Sequence, residues 1–155
     1  NVLVFDNGWM RPFNPSGNGR QSRTLEVDLQ TGQITWEYRT FADHHSPFVG
    51  YAQELSNGNR LITYGMEGNL VEVTRDGTIV WNYIVPISGG ELRCVLTDPD
   101  SFNNFIFRAQ RYDRRDPAIW GRLGRDRWTF EEEFGLDPHH CRKAWQIYDR
   151  ITIDD

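Results

Sequence analysis

The sequence predicts an all-β fold of repeated four-stranded sheets followed by a short helical tail, and three observations carry that prediction. A segment near the start recurs 45 residues later, both copies alternate apolar and polar residues with period two, and helix-start signals gather only after residue 112. The 155 residues are 38% hydrophobic with a net charge of -5, which is the composition of a folded globular chain and excludes a disordered or collagen-like one.

Taken in order, NVLVFDNG reads as the first strand. In LEVDLQ the side chains of Leu25, Val27 and Leu29 share one face, a Gly-containing turn follows, and Ile34, Trp36 and Tyr38 line one face of the next strand. GYAQEL, starting at Gly50, predicts an innermost strand between the repeats, and NGNRLITYG supplies the strand before the second hairpin. There Glu26-Val27-Asp28 recurs as Glu72-Val73-Thr74, and Thr31-Gly32 with Trp36-Glu37-Tyr38 recurs as Asp76-Gly77 with Trp81-Asn82-Tyr83. Four strands every 45 residues, with a Trp near the end of the last, match the period of a β-propeller blade, whose faces are buried only by stacking on neighbours. FIFRAQRY extends the pattern as a further strand, with Arg108 and Arg111 on opposite sides.

Residues 1–112 therefore supply about two and a half blades, whereas closed propellers use roughly four to eight. The ring is expected to be incomplete and the chain to start mid-protein, its end blade covered either by an N-terminal propeller polypeptide or by a second copy. Residues 113–155 are expected to form an irregular or helical tail that packs on the propeller or on a partner chain. Thr129-Phe130-Glu131-Glu132 has capping-box spacing and Asp137-Pro138 offers an N-cap followed by proline, so short helices are expected over about 129–134 and 138–149.

Several function classes fall away. No apolar run approaches the roughly 18 residues that span a bilayer, so no membrane span is expected. An acidic total argues against nucleic acid as a partner, although seven arginines stand against three acids between Phe105 and Arg127. Sixteen of the 17 cationic residues are arginine, whose planar fork suits oxyanions. Cys94 and Cys141 form no C-x-x-C pair, and a disulfide and two separate thiols stay equally open. His139, His140 and Cys141 are adjacent on an expected helix and point apart, so no metal site is expected there.

One ordered series carries a resemblance. Leu3 to Gly8, Ser22-Arg23, Thr31-Gly32 with Trp36-Glu37-Tyr38, Ser46-Pro47-Phe48, Ala52-Gln53, Asn57-Gly58-Asn59, Glu72-Val73, Asp76-Gly77 with Val80-Trp81, and Phe107-Arg108-Ala109 with Arg111-Tyr112 together resemble the C-terminal part of arylsulfotransferase-like proteins. The resemblance implies a six-bladed propeller, periplasmic or secreted, that moves a sulfuryl group from an aryl sulfate to a phenol through a sulfated histidine. The histidine motifs of that chemistry belong to earlier blades and are absent from this sequence. A non-catalytic propeller module used for assembly, and a quinoprotein-like oxidoreductase subunit, are the competing classes.

Propeller topology brings the loop of residues 6–22 and the loop of residues 40–49 to one face. The first holds Trp9, Arg11 and Arg20 and leads into Arg23, an aromatic platform with guanidinium donors for an anionic aryl ester, of which Arg23 matches the family's Ser-Arg. The bland alternative is a solvated lid whose arginines pair with neighbouring acids. His44 and His45 in the second loop are the candidate acid–base residues, and Arg108 is a further candidate anion contact.

Overall fold

The computed structural model describes residues 1–11, 21–39, 45–88, 91–92 and 104–122. They form two antiparallel meanders. The first sheet runs β1 (Val2–Asp6), β2 (Arg23–Val27) and β3 (Ile34–Tyr38). The second runs β4 (Gly50–Glu54), β5 (Arg60–Tyr64), β6 (Asn69–Val73) and β7 (Ile79–Ile84). These sheets and Phe105–Asp113 belong to one compact unit. A two-residue pairing of β8 (Ile87–Ser88) with β9 (Glu91–Leu92) belongs to a second unit.

The internal repeat is a repeat of register. Glu26 pairs with Trp36 and Val27 with Ile34, while Glu72 pairs with Trp81 and Val73 with Ile79. Each hairpin thus has one extra residue on its second strand, Thr35 in one and Val80 in the other, a bulge that raises the local twist at the same place in both. Glu26 and Glu72 are 46 positions apart but Trp36 and Trp81 only 45. The missing residue comes out of the turn. In the first turn the Asp28 carboxylate accepts the Gln30 and Thr31 N–H groups at 2.7 and 3.1 Å. In the shorter second turn the Thr74 hydroxyl accepts the Thr78 N–H at 3.1 Å. Both turns need a left-handed residue and have glycine there, Gly32 at φ 70° and Gly77 at φ 90°.

The core lies between the sheets. Alternation points Phe5, Trp36 and Tyr38 of the first sheet at Ile62, Tyr64, Val71 and Val73 of the second, all four of which are buried. Phe5 meets Tyr64 edge to face at 5.7 Å, and its ring fills the space a side chain at Gly50 would need, with Cε1 only 2.1 Å from where a Cβ would stand. Burying each of these aliphatic side chains contributes about 1.5–3 kcal/mol.

One clamp crosses this junction. Arg60, at the start of β5, reaches the Glu26 carboxylate and lies over the Trp36 ring at 5.1 Å, while the Trp36 indole N–H donates to the Arg75 carbonyl at 2.7 Å. The same arrangement recurs on the far face of the second sheet, where Arg111 reaches Glu72 and lies over Trp81 at 4.5 Å. The recurrence places Trp36 as a packing residue of the junction.

Residues 105–112 differ from the expected strand. Their aromatic and polar alternation imitates one, yet the backbone finds its partners elsewhere: Ile106 N–H donates to the Gly65 carbonyl at 2.9 Å, Ala109 N–H to the Thr63 hydroxyl at 3.2 Å, and Arg111 N–H to Gln53 Oε1 at 2.8 Å. The segment lies flat along β4 and β5 as a strap, with no strand ladder. The expected helices over 129–134 and 138–149, with His139, His140, Cys94 and Cys141, lie outside the described residues. Among the described residues no helix is long and apolar enough to cross a membrane.

Candidate functional site

The two loops singled out in the sequence do meet. Ser46 N–H donates to the Ser22 hydroxyl at 2.8 Å, that hydroxyl donates to the Asn7 carbonyl at 3.0 Å, and the Asn7 amide donates to the Ser46 carbonyl at 2.6 Å. Met66 N–H adds a bond to the Ser46 hydroxyl at 2.9 Å, which ties β5's exit to the same node. Ser22 and Ser46 are fully buried, so this triangle fixes where the first loop returns and where the second arrives.

Beside it sits a charge cluster. Arg23 donates from Nε to Asp6 at 2.7 Å and from Nη1 to Glu37 at 3.3 Å, and Arg39 pairs with the other oxygen of Glu37. Arg11 is held by the Gln21 carbonyl and stands 3.7 Å from Asp6. Register explains the grouping, because Asp6 and Arg23 face one another across β1 and β2, and Glu37 is one strand further on. Among the described residues, three guanidinium groups on two carboxylates leave one positive charge in excess, the balance a monoanion would neutralise.

Titration follows these contacts. Burial alone would raise the Asp6 carboxyl, but the Arg23 hydrogen bond, the Gly8 N–H and the Arg11 charge hold it below its ordinary value. Burial and the nearby Arg23 and Arg39 charges lower Arg11 despite Asp6. Arg23 is raised, its burial outweighed by Asp6 and Glu37. Arg23 stays charged throughout the physiological range.

Each expected site residue has a definite place. Trp9 is exposed on the turn before Arg11, its ring 4.9 Å from that of Phe48, also exposed. Trp9, Arg11 and Arg23 thus share one end of the first sheet, with Phe48 from the second loop completing an aromatic pair. Arg11 and Arg23 both stand against acids, Arg11 near Asp6 and Arg23 on Asp6 and Glu37. Arg20 and His44 lie outside the described residues. His45 is half-buried beside Ser46, its backbone N–H donating to Glu67 at 3.1 Å. Arg108 is exposed on the strap, 5.8 Å over the Tyr51 ring, and is not part of the cluster. Among the described residues no three His, Cys, Asp or Glu side chains gather as a metal site.

Sequence reasoning passed over Asp6, Glu37 and Arg39, which set the charge balance, and Asn7, Ser22 and Ser46, which set the geometry. Their signal was present: Asp6-Asn7, Ser22-Arg23, Glu37 and Ser46-Pro47 all fall in the ordered series above, but each was read as a short motif and none was given a partner. The family model for arylsulfotransferase matches residues 1–85, more than half of the chain, and spans both sheets, the charge cluster and the serine triangle. No curated protein matches the chain, and no solved structure does. That match over residues 1–85 leads to one assignment: the chain belongs to the arylsulfotransferase family.

Proposed function

We propose that the two sheets are blades of a six-bladed arylsulfotransferase propeller, exported from the cytoplasm, that transfers a sulfuryl group from an aryl sulfate to a phenol. The family match over residues 1–85 carries this reading, and the paired sheets with a common register support it. In the transfer a histidine nitrogen bonds to sulfur as the donor's S–O bond breaks and its phenolate leaves to take up a proton; the acceptor oxygen then bonds to sulfur as the N–S bond breaks, which regenerates the histidine, and the acceptor's proton leaves to a base. The nucleophilic histidine is supplied by blades outside this sequence, and His44 and His45 are the candidates within it for the proton-transfer role.

In this reading the first sheet's charge cluster receives the sulfate. Arg23 is fixed by Asp6 and Glu37, and its Nη2 bonds to no other described residue, so the fork is oriented before an anion arrives. Arg11 and Arg39 add charge, and the exposed Trp9 and Phe48 rings offer a surface for the aryl group; Arg20 is a candidate from the sequence alone. Arg108 lies on the strap and serves as an outer anion contact. No cofactor is required.

The test is intact mass of natively purified material under denaturing conditions, followed by a sulfuryl-transfer assay from an aryl sulfate to a phenol. A second polypeptide or a longer chain, with transfer activity and a sulfated histidine outside residues 1–155, supports the reading. A complete assembly that transfers no sulfuryl group overturns it in favour of a non-catalytic propeller module.

A further inference from the structure

The repeat makes the two sheets comparable position by position, and one position breaks the pattern. Val27 and Val73 are equivalent across the two hairpins, and the residues that pair with them on the preceding strands are Val2 and Arg60. Val2 therefore stands where the clamp arginine stands in the second sheet, and Val4 stands where Ile62 does. Val2 and Val4 are 40% and 38% exposed, whereas their counterparts on the face that receives the first sheet, Arg60 and Ile62, are 2% and 0% exposed. Among the described residues, the outer face of β1–β3 repeats the geometry of an occupied docking face without an occupant and without its arginine.

This fixes the chemistry of the occupant. At the junction in hand the arriving sheet brings a carboxylate, Glu26, and it is satisfied because Arg60 is waiting for it. A sheet bringing the same carboxylate to Val2 would bury it against an aliphatic side chain with no donor. The charges at the other end of the face, Asp6, Arg23 and Glu37, stand four residues along β1 from Val2 and supply no donor for a carboxylate there. A second copy of this chain fits badly: its equivalent face presents Glu72 and Trp81, which its own Arg111 already holds. We infer that the outer face of β1–β3 docks an antiparallel sheet of different sequence, one with an apolar residue in place of the acid that Glu26 and Glu72 supply. This inference rests on the blade reading of the sheets and adds the recognition rule at one junction.

The rule is tested in the full natural protein made in its own host, carrying Val4→p-benzoylphenylalanine and irradiated before digestion and peptide sequencing. The expected product joins position 4 to a strand peptide unlike residues 69–84, with an apolar residue at the acid's position in the hairpin pattern. Adding Val2→Arg should lower the crosslink yield on the order of tenfold, because a guanidinium would be buried without a partner, while Val2→Ile should preserve it. A crosslinked peptide with Glu or Asp at that position, or a rise in yield with Val2→Arg, overturns the rule and leaves the blade reading standing. A crosslink to residues 69–84 of a second copy overturns it as well. Absence of any crosslinked strand overturns both.

Discussion

Arg60 and Arg111 make the same contacts under different solvation, and that difference sets what each is worth. Arg60 is 2% exposed and leans on Glu26, so Glu26→Gln leaves a buried guanidinium short of its counter-charge and should cost about 3 kcal/mol in urea denaturation. Arg111 has a side chain 37% exposed, and Glu72 keeps bonds from Asn57 at 3.0 Å and Asn59 at 2.7 Å, so Arg111→Ala should cost only about 1 kcal/mol. Equal losses would show that burial does not rank the two clamps. Burial pushes Glu26 and Glu72 up, but Arg60 and Arg75 for the first, and Asn59, Asn57 and Arg111 for the second, bring both below their ordinary 4.5. Their contribution is therefore complete above pH 4.5 and is lost as pH falls through the lowered native values. Denaturation midpoints measured from pH 6 downward should hold steady and then drop below that point, and Glu26→Gln should flatten the drop. Arg39 touches Glu37 alone among the described acids, so Arg39→Gln should leave the melting temperature within about 2 °C. On the proposed function it should nonetheless lower kcat/KM for an aryl sulfate on the order of tenfold.

At the scale of elements, close approach matters more than propensity. Gly50 lets β4 lie against Phe5, and Gly50→Ala should cost about 1–3 kcal/mol unless Phe5→Leu makes room in the same chain. A Cβ at Gly65 would sit 2.4 Å from the Ile106 carbonyl oxygen, so Gly65→Ala should lift the strap and raise hydrogen exchange at Ala109 and Arg111 while β5 and β6 stay protected. The hairpins were legible because Trp36 and Trp81, like Gly32 and Gly77, recur at one spacing, and period two decides which side chains go inward up to the bulge at Thr35, which turns Ile34 to the face opposite Trp36 and Tyr38. The strap was misread as a strand for the same reason. Phe105 and Phe107 alternate as strand residues do, and nothing local to them shows that Gln53 and Thr63 will take their backbone bonds. The clamps were hidden too, since Arg60 and Arg111 sit 51 positions apart, off the repeat, and are joined to Glu26 and Glu72 only by the folding of one sheet onto the next.

For the whole molecule, stability is a sum over neighbouring sheets, and an end sheet with an open face contributes less than an inner one. On the blade reading, residues 1–155 alone should therefore melt well below the same residues with a sheet docked on the outer face of β1–β3. Equal melting temperatures would mean that the outer face of β1–β3 needs no cover. Of the candidate site, the meeting of the two loops was legible from blade topology, and the arginines from their density. The charge balance was not, because Asp6, Glu37 and Arg39 acquire their meaning from cross-strand register. The matched bulges at Thr35 and Val80 have one more consequence. Two hairpins with the same pairing, the same bulge and turns that differ by a single residue are interchangeable parts, so this fold offers a protein engineer a standard fitting, in which a hairpin can be exchanged whole if its clamp residues travel with it.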